Sequence, residues 1–236
     1  MVQDSGTVDG WINPLLFMSL DPLLQKAAGR TGEVETAALL SDLTRNRASD
    51  PVAEITSRHK EISRFDHLLH IVPADDLILR KIVWPLRSAK QAYMLGDGLG
   101  CIALSGCIGE MVASLTFEFI ELRLGQTPVT LNSEKRLFGG TFEGLSQSRR
   151  VDILHALGAW TDDQVKKAGE LAKIRNKHLH RLSADVSHME REAALAYRLA
   201  VELAASAVAF RIGDKGTVVV EEKLGRYLLK RRRSSD

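Results

Sequence analysis

Arg175 stands where an apolar residue belongs. It opens the run Arg175-Asn176-Lys177-His178-Leu179-His180, at the end of a strongly helical segment from Thr161 to Leu179. At about 100° per residue, Val165, Ala168, Leu171, Ala172 and Leu179 gather on one face, and Arg175 falls near its middle. A guanidinium keeps its proton, so burying it is costly unless it is paired or meets an anion. Two readings therefore stand side by side: Arg175 binds an anionic ligand, or it pairs with a core acid such as Glu110. They are compatible, because an acid that pins the guanidinium also preorients it. His180 has its own bland reading, a helix-end residue facing the negative end of the dipole.

The elements that must position these residues read as helices. Pro14 to Gly29 and Glu33 to Asn46 carry leucines and alanines at helical spacing. Asp50-Pro51 is an N-cap followed by proline at the first helical position, and predicts a helix to about Ile71. After a brief segment from Leu77 to Val83, Pro85 starts the longest helical pattern, reaching about Leu124. Its stretch Gly96-Asp97-Gly98-Leu99-Gly100 follows no strand and completes no dinucleotide fingerprint. The glycines among Ala103, Ser105, Gly106, Gly109 and Ala113 read as places where another helix approaches closely. Gly125 to Gly144 reads as a loop, Ser146 to Leu157 as a short helix, and Thr161-x-x-Gln164 as a capping box. A last long helix runs from Asp185 or Ser187 to Arg211, followed by a strand-like Thr217 to Val220 and the basic tail Lys230 to Arg233. The division expected is an N-terminal helical region, residues 1–84, a helical bundle, residues 85–211, and a tail, residues 212–236.

Composition limits the function classes. In 236 residues, aromatics are only 6% while Ala and Leu abound, which favours helix over sheet. A net charge of +2 gives no whole-protein field for nucleic acid, so any such binding must come from a local patch. Lys166, Lys167, Lys173, Lys177 and Arg181 form one around the Arg175 run. Cys101 and Cys107 are six apart on an expected helix, about 9 Å along its axis, and read as reduced, buried thiols. His67 and His70 have no third ligand beside them, and His155 and His188 read as surface residues, so no metal is expected. Met1 to Gly10 lacks a basic n-region, and Leu99 to Ile120 is broken by Glu110 and Glu118; neither a secretory signal nor a membrane span is expected.

A long helix carrying Cys101-Ile-Ala-Leu-Ser-Gly-Cys-Ile-Gly-Glu110, a shorter helix, a capped helix ending in Ile174-Arg-Asn-Lys-His-Leu-His180 and a last long helix follow in that order. Over residues 85–211 this resembles the HEPN domain superfamily (higher eukaryotes and prokaryotes nucleotide-binding). Its signature is an Arg, a polar residue directly after it, and a His four to six intervening positions beyond the Arg; Arg175, Asn176 and His180 match it. The resemblance implies an all-α fold, a four- or five-helix bundle that dimerises, so that two copies of the motif share a cleft. In active members that cleft is a metal-independent endoribonuclease site. Arg175, Asn176 and His180 would then be catalytic, with Glu110, Ser114 and His178 in support and Lys173, Lys177 and Arg181 on the RNA. A His near pKa 6.5 suits taking a proton from a ribose 2′-OH and returning one to the leaving 5′-oxygen, and an Arg suits holding the phosphate. Where a subgroup has a modifiable Tyr, two positions beyond the motif His, this chain has Leu182.

One geometric point constrains the site: on a regular helix His180 projects about 140° away from Arg175. Either the helix unwinds near Leu179, or the His comes from the partner copy. The leading expectation is a cytoplasmic homodimer that cleaves RNA, with no cofactor, no membrane and a regulatory protein partner. The competing expectation is a non-catalytic helical module for dimerisation, partner or nucleotide binding. A DNA-binding regulator lacks any recognition-helix pattern.

Overall fold

Asp97 joins two helices that the apolar periodicity alone runs together. The computed structural model describes residues 51–66, 78–120, 122–124, 126–181, 183, 185–212 and 218–235. Within these, α1 spans Pro51–Ser63, a five-residue π-helix spans Leu79–Val83, α2 spans Trp84–Met94 and α3 spans Gly98–Ile120. α2 stops because Gly96 takes the left-handed conformation, φ 82°. The Gly96 amide bonds the Tyr93 carbonyl at 3.0 Å and the Asp97 amide bonds that of Ala92 at 2.8 Å, the paired hydrogen bonds of a Schellman ending. Asp97 then starts α3, its Oδ1 accepting from the Gly100 amide at 2.8 Å. The single helix expected from Pro85 to about Leu124 is thus two helices, ending at Ile120.

The remaining elements are a two-residue hairpin, β1 (Arg123–Leu124) with β2 (Thr127–Pro128), then α4 (Leu131–Phe138), a 3-10 turn (Phe142–Gly144), α5 (Gln147–Ala156), α6 (Asp162–His180) and α7 (Met189–Val208). They end with β3 (Phe210–Ile212), β4 (Val218–Val220) and α8 (Glu222–Ser235). β3 and β4 are antiparallel, Phe210 opposite Val220 and Ile212 opposite Val218. Two of the helices fall where the sequence suggested none. α4 lies in the expected loop, capped by the Thr130 hydroxyl and closed by Gly139 at φ 75°. α8 replaces the expected simple tail: Glu221 caps the Lys223 and Leu224 amides, and Leu224 is fully buried. Tyr227 packs edge-on against Phe119 at 4.9 Å. The helices expected at Pro14–Gly29 and Glu33–Asn46, and His67 and His70, lie outside the described residues.

The fold is all-α apart from these short hairpins. One compact unit runs from Ile55 to Asp236, so Ile62, Ile78 and Ile82 share a core with the helices that follow. α3 is its axis, packed most extensively against α7, then α2, α6 and α5. Cys101, Ile102, Ile108 and Val112 of α3 are fully buried. Among the described residues α3 alone is long and apolar enough to cross a bilayer, yet 61% of its apolar window is buried inside the bundle. A soluble core helix has the same composition. Burial pushes the Cys101 thiol up to about 12. Cys107, expected to be buried, is exposed; both thiols are free.

The small residues of α3 are contact points for α6. A Cβ built on Gly106 would stand 2.4 Å from Arg175 Cδ, and one on Gly109 would stand 2.9 Å from Leu171 Cδ2. Both glycines are buried, which is the packing role their spacing suggested.

Candidate functional site

α6 positions the motif. Thr161 and Gln164 form the expected capping box, with the Thr161 amide donating to Gln164 Oε1 at 2.8 Å. The buried face of α6 is Ala168, Leu171 and Ile174, with the His178 side chain only 1% exposed. Leu179, assigned to that face from sequence, is 39% exposed. The inward face is therefore turned toward Ile174 and His178, and Arg175 sits at its edge, its aliphatic stem over Gly106.

The Arg175 guanidinium is held from two sides. Nη1 donates to Glu110 Oε1 on α3, while Nε and Nη2 approach Asn176 Oδ1 at 3.4 and 3.3 Å. The Arg175 side chain is 18% exposed and that of Glu110 is 26% exposed, so the pair is shielded without being sealed. The acid anticipated for Arg175 is the one it meets, and Asn176 adds a second contact. His180 is brought to neither. α6 stays helical through His180, which is exposed; five residues of regular helix turn it about 140° from Arg175. Unwinding near Leu179 does not occur. At helical spacing Lys173, Asn176 and His180 share one face, and all three are exposed.

Much of the basic charge in this region is answered within the chain. Lys177 Nζ pairs with both oxygens of Glu192 at 2.8 and 2.9 Å. Lys167 pairs with Asp163 at 2.6 Å and Glu202 at 3.0 Å. Lys173 and Arg181 are exposed and have no ion pair among the described residues. His178 faces inward, its Nε2 bonded to Glu192 Oε2 and its Nδ1 buried with no partner among the described residues. Burial opposes a charge on Glu192, but the hydrogen bonds from Lys177 and His178 outweigh it and hold the carboxyl below its ordinary 4.5. His178 is thus a tie between α6 and the first turn of α7. Its position four residues after Ile174 was the available signal.

Ser114, one turn beyond Glu110, takes a long 3.5 Å contact from Arg150 Nη1. Arg150 had no role in the sequence reading. Its guanidinium is fixed by the Leu145 carbonyl at 2.9 Å and the Glu143 carbonyl at 3.0 Å, contacts that depend on the turn before α5. Among the described residues no group of three or more His, Cys, Asp or Glu side chains is placed to hold a metal. His155 is exposed and bonds Asp162 at 2.8 Å. His188 is exposed too. The arrangement places a preoriented, partly neutralised Arg175 at the edge of the inward face of α6 and the exposed His180 imidazole on a separate face. No family model, curated protein or solved structure matches this chain.

Proposed function

We propose that the chain is a HEPN-type module that binds and cleaves RNA as a homodimer, Arg175 of one copy acting with His180 of the other. The observation that carries this is the regular course of α6 through His180. It turns Arg175 and His180 away from each other, so one phosphate meets both only if a second copy supplies one of them. Glu110 and Asn176 fix the guanidinium in advance, which lowers the reorganisation needed when a phosphate arrives. Across the shared cleft, His180 takes the ribose 2′-OH proton as that oxygen attacks phosphorus. The 5′-oxygen then leaves with a proton, giving a 2′,3′-cyclic phosphate. Lys173 and Arg181 add phosphate contacts that salt weakens.

A second reading rests on the Arg175–Glu110 pair itself. An Arg answered by an acid at a helix contact is sufficient to lock α3 to α6, and the module then serves dimerisation or partner binding without turnover. Purified protein and its His180→Ala variant, incubated with mixed RNA in EDTA, separate the two. The nuclease reading expects cleavage with 2′,3′-cyclic ends, abolished in the variant. Absence of cleavage, or equal cleavage by both, leaves the second reading.

A further inference from the structure

A cavity of about 350 Å3 is lined in part by Glu110 and by no residue of the motif helix. Its base is apolar: Ile82 and Leu115 are 1% and 5% exposed, and Met111 lies beside them. Glu110, Ser114 and Glu118 follow each other at four-residue intervals along α3 and form one wall. Lys81, from the π-helix, and Glu143 with Arg150 complete it. An apolar base with a few convergent polar groups, in a volume equal to about twelve liquid waters, is the build of a small-molecule site.

The charges say what kind of molecule. Glu110 is taken by Arg175. Arg150 is held by two backbone carbonyls and Ser114, which engages three of its five N–H donors and leaves two in a fixed direction. The side chains of Lys81, Glu118 and Glu143 have no hydrogen bond or ion pair among the described residues. A purely anionic guest meets Glu118 and Glu143; a purely cationic one meets Lys81 and Arg150. A guest carrying both signs answers all four.

We propose that this cavity binds a free aliphatic α-amino acid. Its carboxylate meets Arg150 and Lys81, its ammonium meets Glu118 and Glu143, and its side chain lies on Ile82, Met111 and Leu115. The site contains neither Arg175 nor His180, so it stands or falls apart from the nuclease reading.

Calorimetric titration of the full chain with L-leucine and L-methionine tests it. The expected result is saturable binding of at least one, tighter than about 1 mM. Isocaproate, lacking the ammonium, and isoamylamine, lacking the carboxylate, bind at least about tenfold more weakly. Lys81→Met and Glu118→Gln change exposed side chains, so each keeps the wild-type melting temperature and weakens binding about tenfold. The proposal is overturned if neither amino acid binds, if the one-charge analogues bind as well, or if both variants bind like the wild type.

Discussion

Arg175 fills the space that a side chain on Gly106 would take. A side chain on Gly106 would overlap Arg175 Cδ at 2.4 Å, so the bare backbone of α3 is what lets the guanidinium reach Glu110 one turn further on. Gly106→Ala is therefore an overpacking substitution with a defined victim. It lowers stability by about 1–3 kcal/mol, read as a fall in melting temperature of about 2–4 °C per kcal/mol for a chain of this size. An unchanged melting temperature would mean that displacing Arg175 costs no more than the about 1 kcal/mol that alanine gains over glycine inside a helix.

Glu110 can be tested by separating its charge from its shape. Glu110→Ala leaves a guanidinium with 18% exposure short of its carboxylate, and costs about 1–3 kcal/mol. Glu110→Gln keeps an acceptor and costs less. Urea unfolding of the three proteins measures both, and equal midpoints would remove the pair from the account of how α6 is held to α3.

The tie between α6 and α7 has a pH signature. The Glu192 carboxyl is lower in the folded chain than its ordinary 4.5, so its contribution to stability is complete above that value. The contribution fades as pH falls through the lower folded value, because the unfolded chain takes up the proton first. Unfolding free energy measured downward from pH 5 shows this loss. Glu192→Gln, which also deprives Lys177 and His178 of their acid, is less stable at neutral pH and flattens the slope below 4.5. An unaltered slope would place the acid sensitivity elsewhere.

Local signals in the sequence located some features well and others poorly. The capping box at Thr161 and Gln164 and the proline start at Pro51 depend on neighbours a few residues apart, and both are where expected. The Gly96–Asp97 joint was hidden because apolar residues keep helical spacing across it, although a C-terminal glycine followed by an N-capping acid was present. The inward face of α6 was misplaced because Leu179 sits at the helix end, where little covers it, while His178 is buried only because Glu192 answers it. Arg150 was invisible for a different reason: its partners are backbone carbonyls, which carry no sequence identity.

The shared-cleft claim is tested most directly by mixing two inactive proteins. Arg175→Gln and His180→Ala, each shown by circular dichroism to keep the wild-type helix content, are combined, unfolded and refolded together so that mixed dimers form, and assayed on RNA in EDTA. One composite site in each mixed dimer keeps both native groups, so ribonuclease activity absent from either variant alone returns in the mixture. A mixture as inactive as its components, beside an active wild type, would contradict a site built from two copies.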